Sequence, residues 1–125
     1  MTSVRAENDS QLAESSSVIR VGDNDGDGGR DAALIIGEDV TISAPATYGV
    51  SVFGSKTTET VTVFGTIEAV PAAAIAGNGS AGYEGTTIII KDGAVLESGS
   101  DEINENPAIY HPQAGELIIE GGTIS

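Results

Sequence analysis

The chain has 125 residues, of which 39 % are hydrophobic and only 4 % aromatic, so we expect one domain with a mainly aliphatic core. Nineteen acidic residues against five basic ones give a net charge of −14, which disfavours binding to nucleic acid and insertion into anionic membranes. Because the sequence contains no cysteine, disulfides, zinc–thiolate sites and thiol nucleophiles are excluded.

Residues 1–17 are polar and rich in serine, and they are predicted to form a tail or linker. They lack the basic start and apolar run of a signal peptide, and no apolar stretch approaches the roughly 18 residues of a membrane-spanning helix. From Val18 onward, short apolar runs alternate with Gly, Asp, Thr and Ser. Residues 18–125 are therefore predicted to form one module, in which VIRV at 18–21 is the last strand of an incomplete coil.

Apolar triplets repeat along this module and define columns of equivalent residues. The first column, with spacings of 27, 27 and 29 residues, is Ile36, Val63, Ile90 and Ile119. The second column, placed after each corner, is Ile42, Ile67, Val95 and Ile124. The third column, displaced in its last repeat by the insertion SGSDEINENP, is Val50, Ile75 and Ile109. Each repeat therefore carries three short β-type runs joined by three corners.

Three strands in each repeat of 25 to 29 residues predict an all-β fold, a right-handed three-sided parallel β-helix of about three to four coils. Strands of successive coils are expected to stack about 4.8 Å apart, with like side chains above like. The alternative is a β-sandwich, which also contains many short strands. In sandwich strands, apolar and polar residues usually alternate over about five or more positions, and three registered columns are rare. The solenoid is therefore the favoured prediction.

The run GTTIIIKDGAVLESGS, followed after a short interval by NPAIYHPQAGELIIEGGTIS, resembles repeats of right-handed parallel β-helix proteins. Such proteins occur on bacterial cell surfaces and as appendages of tailed-phage virions, including head fibres. The resemblance covers residues 33–125 and implies a rigid module, exposed on a cell or virion, without a shared catalytic motif. Because a short solenoid exposes unpaired edges, the module is expected to be a fragment or to be completed by adjoining coils or a homo-oligomer.

The sharpest local motif is the acidic loop GDNDGDGGRD at residues 22–31, which contains Asp23, Asp25, Asp27 and Asp31. Alternating carboxylates in one loop can supply several of the roughly six to eight oxygen ligands that Ca²⁺ requires. The loop is not an EF-hand, because Leu34 occupies the position of the bidentate glutamate and strands replace the helices. The sequence thus predicts either a calcium site or a solvated acidic corner.

The column alignment places the acidic loop at the corner between the third and first faces, where loops of other coils carry Asn78, Tyr83 and Glu84. Loops stacked on one edge of a solenoid commonly form its binding face. A tyrosine flanked by carboxylates and amides suits sugar binding, and Tyr110 and His111 are predicted to belong to the same ligand-binding set. The alternative is that these are isolated polar residues of the surface.

We therefore expect a non-catalytic structural or display module of an extracellular bacterial protein or a virion appendage. The module is expected to mediate attachment to a glycan, a protein surface or a host receptor. The alternative is a carbohydrate-active enzyme or binding module of pectate-lyase-like fold. Lyases need basic residues, and the module offers only Arg20, Arg30, Lys56 and Lys91. Hydrolysis needs two carboxylates across a cleft, which a few coils scarcely form. Catalysis is therefore disfavoured.

Overall fold

A computed structural model describes ten segments of the chain, residues 3–5, 17–23, 31–45, 47–54, 58–70, 72–77, 85–101, 104–105, 107–111 and 115–125. Within these segments the chain forms β-strands and no helix, so no described segment is a helix that could cross a membrane. The strands are β1 (Ser3–Arg5), β2 (Ser17–Asp23), β3 (Ala32–Ile36), β4 (Thr41–Ala44), β5 (Tyr48–Gly54), β6 (Glu59–Val63), β7 (Thr66–Ala69), β8 (Ile75–Gly77), β9 (Thr86–Ile90), β10 (Val95–Ser98), β11 (Ser100–Asp101), β12 (Asn104–Glu105), β13 (Ile109–Tyr110), β14 (Gly115–Ile119) and β15 (Thr123–Ile124).

The strands stack into three parallel sheets, which form the faces of a solenoid. The first face contains β3, β6, β9 and β14; the second contains β1, β4, β7, β10 and β15; the third contains β2, β5, β8 and β13. The chain visits the faces in rotation, and each strand pairs in parallel with the strand one coil away. This topology confirms the predicted three-sided parallel β-helix, with about four coils.

The insertion in the last repeat forms a separate element. Its strands β11 and β12 pair with each other in antiparallel fashion, outside the three faces. In the predicted N-terminal tail, β1 pairs in parallel with β4 on the second face. The remainder of that tail up to residue 16 lies outside the described residues.

Two of the three predicted columns are confirmed, and the other needs one correction. The first column lies in register from Ile36 to Ile119, and the third lies in register from Val50 to Ile109. In the second column, Leu96 and not Val95 stacks on Ile67. Two adjacent apolar residues made the alternation ambiguous there, and the turn before β10 is two residues longer than the turn before β7.

The core consists of aliphatic side chains that project inward from all three faces. Its large members are fully buried, namely Ile36, Ile42, Val50, Val52, Val61, Val63, Ile67, Ile75, Ile88, Ile90 and Leu96. Small alanines fill the positions next to the corners, including Ala44, Ala69, Ala74 and Ala94. Because inward residues alternate with outward ones along each strand, the same short strands build both the core and the external surface.

A glycine determines how closely two coils approach at the corner between the first and second faces. A Cβ atom on Gly65 would lie 2.3 Å from the carbonyl oxygen of Gly37 and 2.4 Å from that of Val40. Both oxygens belong to the backbone of the coil stacked on Gly65, so neither can move without displacing a strand. The turn that carries these two oxygens is closed by a hydrogen bond from the Val40 amide to the Gly37 carbonyl, at 3.0 Å.

Candidate functional site

The predicted metal site is described only at its margins. Asp23 is the last residue of β2, and Asp31 immediately precedes β3, while Asp25 and Asp27 lie outside the described residues. The Asp31 carboxylate accepts a hydrogen bond from the Thr58 amide of the next coil, at 2.8 Å. This bond ties one end of the acidic loop to the coil stacked on it.

Within the described segments, no group of three or more carboxylate or imidazole side chains is arranged to hold a metal ion. The side chains of Asp23, Asp25 and Asp27 are not among those described, so calcium binding by the acidic loop stays a prediction. Asp31 connects two coils through this hydrogen bond, and its predicted role as a metal ligand likewise stays a prediction.

At the corner between the third and first faces, the first residues of the first-face strands form a column of four residues in register, Ala32, Glu59, Thr86 and Gly115. Backbone hydrogen bonds connect the coils at this corner, from the Ala32 amide to the Thr58 carbonyl and from the Glu59 amide to the Gly85 carbonyl, both at 3.0 Å. The last coil approaches closely, since a Cβ atom on Gly115 would lie 2.1 Å from the Thr86 carbonyl oxygen.

Two members of this column are polar residues buried inside the solenoid, and neither was identified from the sequence. Glu59 and Thr86 are both fully buried and are paired across β6 and β9. The period of two in the sequence ETVTV places Glu59 on the same side of β6 as Val61 and Val63, which is the inward side. Burial of a carboxyl group away from water is costly without compensating interactions, so a buried Glu59 next to Ala32 is a distinctive feature of this corner.

Of the predicted ligand-binding residues, Tyr110 and His111 are described, while Asn78, Tyr83 and Glu84 lie outside the described residues. Tyr110 projects outward from β13 and is 48 % exposed, and His111 is half-buried. Tyr110 stacks next to Ala76 on the third face.

Tyr110 and His111 belong to the last coil, whereas Asp31 belongs to the first. Three steps between coils separate them, which corresponds to about 14 Å along the solenoid axis at a strand spacing of about 4.8 Å. The structure therefore does not bring Tyr110 or His111 into contact with the described end of the acidic loop.

A second candidate surface is the outer side of the first face. Its outward side chains in the first three coils are all uncharged, namely Ala33, Ile35, Thr60, Thr62, Thr87 and Ile89. We call these six residues the Thr/Ile face. Ile35 is 69 % exposed, the highest value among the large hydrophobic side chains of the described segments.

The Thr/Ile face is a regular array on a parallel sheet. Its side chains repeat about every 4.8 Å between coils and about every 6.6 Å along each strand. The outer side of the second face has the same geometry but carries the carboxylates of Glu68 and Glu97. In a chain with a net charge of −14, an uncharged array of this extent is a distinct surface.

Comparisons with protein-family models, with curated protein sequences and with solved structures gave no match to this chain.

Proposed function

We propose that the chain is a non-catalytic structural module that displays a flat binding surface on a bacterial cell exterior or a phage virion appendage. The observation that carries this proposal is the Thr/Ile face, an uncharged array of exposed and half-buried side chains on a stack of parallel coils. Parallel stacking of about four coils gives the backbone many long-range hydrogen bonds, which suits a module that spaces or presents a surface.

The chemistry of the Thr/Ile face favours a glycan or an uncharged protein surface as its partner. Threonine hydroxyl groups donate and accept hydrogen bonds, while the methyl groups of threonine and isoleucine contact apolar C–H surfaces. Sugar rings present both kinds of group on one flat side. The absence of positive charge from these six side chains gives no attraction for acidic polysaccharides, so neutral glycans are the expected ligands.

The test is binding of the full chain to an array of neutral and acidic glycans, followed by calorimetric titration of the positive ones. Thr62→Glu places a carboxylate in the centre of the Thr/Ile face and is expected to weaken binding by at least about tenfold. Thr66→Glu is the matched control, because Thr66 is also an outward, half-buried threonine of the same coil but lies on the second face.

Loss of binding in Thr62→Glu alone, without any product release, would support the proposal. Equal loss in both variants, or no glycan binding above background together with no binding to host-surface protein extracts, would contradict it. Release of reducing ends or unsaturated sugars from a bound glycan would instead support the alternative of a carbohydrate-active enzyme.

A further inference from the structure

The turn between β9 and β10 contains an Asp–Gly sequence, Asp92 and Gly93, and both residues are exposed. A hydrogen bond from the Ala94 amide to the Lys91 carbonyl, at 3.2 Å, closes this turn. Gly93 has a positive φ of 85° and open space around its Cβ position. A positive φ at the third position of a tight turn favours glycine, so the fold itself selects a residue without a side chain directly after Asp92.

The amide of Gly93 and the carboxylate of Asp92 are both accessible and unengaged. In the described part of the chain, the Gly93 amide donates no hydrogen bond and the Asp92 carboxylate accepts none. Because glycine has no Cβ atom, its nitrogen is also sterically unhindered. Rotation of the Asp92 side chain therefore brings its carboxyl carbon to the Gly93 nitrogen without breaking a hydrogen bond.

We propose that Asp92 is a site of spontaneous modification, at which aspartate is converted to isoaspartate through a cyclic imide. The Gly93 nitrogen attacks Cγ of the protonated Asp92 carboxyl group. The N–Cγ bond forms, a Cγ–O bond breaks, and the hydroxyl group leaves with the amide proton as water. Hydrolysis of the imide consumes one water molecule. Cleavage at Cγ restores aspartate, whereas cleavage at the main-chain carbonyl carbon of Asp92 gives isoaspartate.

Isoaspartate adds one methylene group to the main chain at a corner where two coils are closely packed. A Cβ atom on Gly121 of the next coil would lie 2.8 Å from the Asp92 Cα atom, so the two turns are in contact. Directly after the modified turn, the Ala94 carbonyl accepts a hydrogen bond from the Thr123 amide, at 2.8 Å. The modification therefore weakens the pairing of β10 with β15, and faster hydrogen exchange of the Thr123 amide is the expected result.

The first coil contains a matched turn at the same corner, between β3 and β4. Asp39 is exposed there and is followed by Val40. The Val40 amide donates a hydrogen bond to the Gly37 carbonyl, at 3.0 Å. The nitrogen that follows Asp39 is thus both hydrogen-bonded and next to a branched side chain, so Asp39 is expected to stay unmodified.

The experiment is prolonged incubation of the folded full chain below its unfolding temperature, followed by digestion and mass spectrometry. Electron-transfer fragmentation distinguishes isoaspartate from aspartate, and the imide is lighter by one water molecule. Peptide mapping separates Asp92 from the Asp–Gly sequences at 25–26 and 27–28, which lie outside the described residues. The wild type is expected to accumulate isoaspartate at Asp92 and none at Asp39.

Two variants connect this reaction to the structure. Gly93→Ala adds a Cβ atom next to the attacking nitrogen and is expected to slow the reaction at Asp92 by about tenfold or more. Val40→Gly places an Asp–Gly sequence in the matched turn, where the amide after Asp39 keeps its hydrogen bond. In this folded variant, Asp39 is expected to react at least about fivefold more slowly than Asp92, because that bond must break first. In concentrated urea the two positions are expected to react at similar rates.

Absence of isoaspartate at Asp92 in the folded chain would overturn the proposal, as would an unchanged rate in Gly93→Ala or equal rates at Asp39 and Asp92 in folded Val40→Gly. Circular dichroism checks the folding of both variants, and Gly93→Ala tests the proposal even where Val40→Gly does not fold. The reaction is independent of the proposed function, because Asp92 and Gly93 are not members of the Thr/Ile face.

Discussion

The last described coil, formed by β13, β14 and β15, is called here the terminal coil. The third coil and the terminal coil have nearly the same sequence pattern but very different environments. IIIKDGAVLES and LIIEGGTIS place aliphatic residues in the same inward columns, and their strands are in register. Ile88, Ile90 and Leu96 are fully buried, whereas their partners on β14 and β15 are exposed by a third or more. The pattern determines which way a side chain points, and the next coil determines whether that side chain is removed from water.

This difference has an energetic consequence, because apolar side chains stabilise a fold in proportion to the surface they bury. In a solenoid, each coil contacts only its neighbours, so an internal coil is held from two sides and the terminal coil from one.

The sharpest contrast compares equivalent isoleucines of the first column. Ile90→Ala removes a fully buried side chain and is expected to destabilise the protein by about 2–5 kcal/mol, including the cost of the cavity. Ile119→Ala removes a side chain that is 56 % exposed, so its cost is expected to stay below about 1 kcal/mol. Urea denaturation at low protein concentration measures both values. Equal losses would show that the two coils do not differ in packing.

The next contrast compares two glycines at the corner between the first and second faces. Gly65→Ala forces a Cβ atom against two backbone oxygens and is expected to cost about 1–3 kcal/mol. Gly93 has a positive φ of 85° but open space around its Cβ position, so Gly93→Ala is expected to cost only about 1 kcal/mol. Thermal unfolding of both variants gives the comparison, and a larger loss for Gly93→Ala would contradict the close approach of the coils at Gly65.

The buried hydroxyl of Thr86 provides a stabilising prediction. Its Oγ1 is buried and makes no hydrogen bond to the described residues. Thr86→Val keeps the shape of the side chain and removes the unsatisfied group, so a gain of about 1 kcal/mol is expected. Thr87→Val is the control, because Thr87 projects outward and is only half-buried. Destabilisation by Thr86→Val would show that the hydroxyl has a partner.

The smallest expected effect concerns the ion pair between the third and terminal coils. Lys91 Nζ lies 2.6 Å from Glu120 Oε2, and both side chains are substantially exposed. Because any loss of negative charge relieves repulsion in this acidic chain, Glu97→Gln serves as the reference for charge removal. Glu120→Gln is expected to be less stable than Glu97→Gln by about 0.2–1 kcal/mol at low salt, and by less at high salt. A difference that grows with salt would contradict an electrostatic role for the pair.

The sequence predicted the solenoid because its columns repeat both in spacing and in chemistry. Ile36, Val63, Ile90 and Ile119 are interchangeable only if they occupy equivalent positions, and the structure places them in register. Leu96 was missed because the turn lengths vary between coils and because Val95 is also apolar. The spacing of a column does not show which of two adjacent apolar residues points inward. Only the register of the paired strands shows it.

The candidate functional site was harder to predict from the sequence than the fold. The site residues predicted from the sequence lie in corner loops or next to them, and of these Asp31 and Tyr110 are about three coil steps, or about 14 Å, apart along the axis. The Thr/Ile face and the burial of Glu59 follow from the period of two within each strand, so the sequence contained both signals. The contrast between the terminal coil and the internal coils was not encoded in the pattern, since it depends on what lies beside each coil.

The register between coils underlies all these conclusions, and disulfide trapping tests it most directly. Thr62 and Ile89 are outward register partners on β6 and β9, so Thr62→Cys with Ile89→Cys is expected to form an intramolecular disulfide. Thr60→Cys with Ile89→Cys is the control, since that pair is displaced by two residues, a separation of about 8 Å. Mass spectrometry of the oxidised monomer is expected to find the bridge only in the first variant. A bridge in the control alone, or in neither variant, would contradict the parallel stacking of like residues on like.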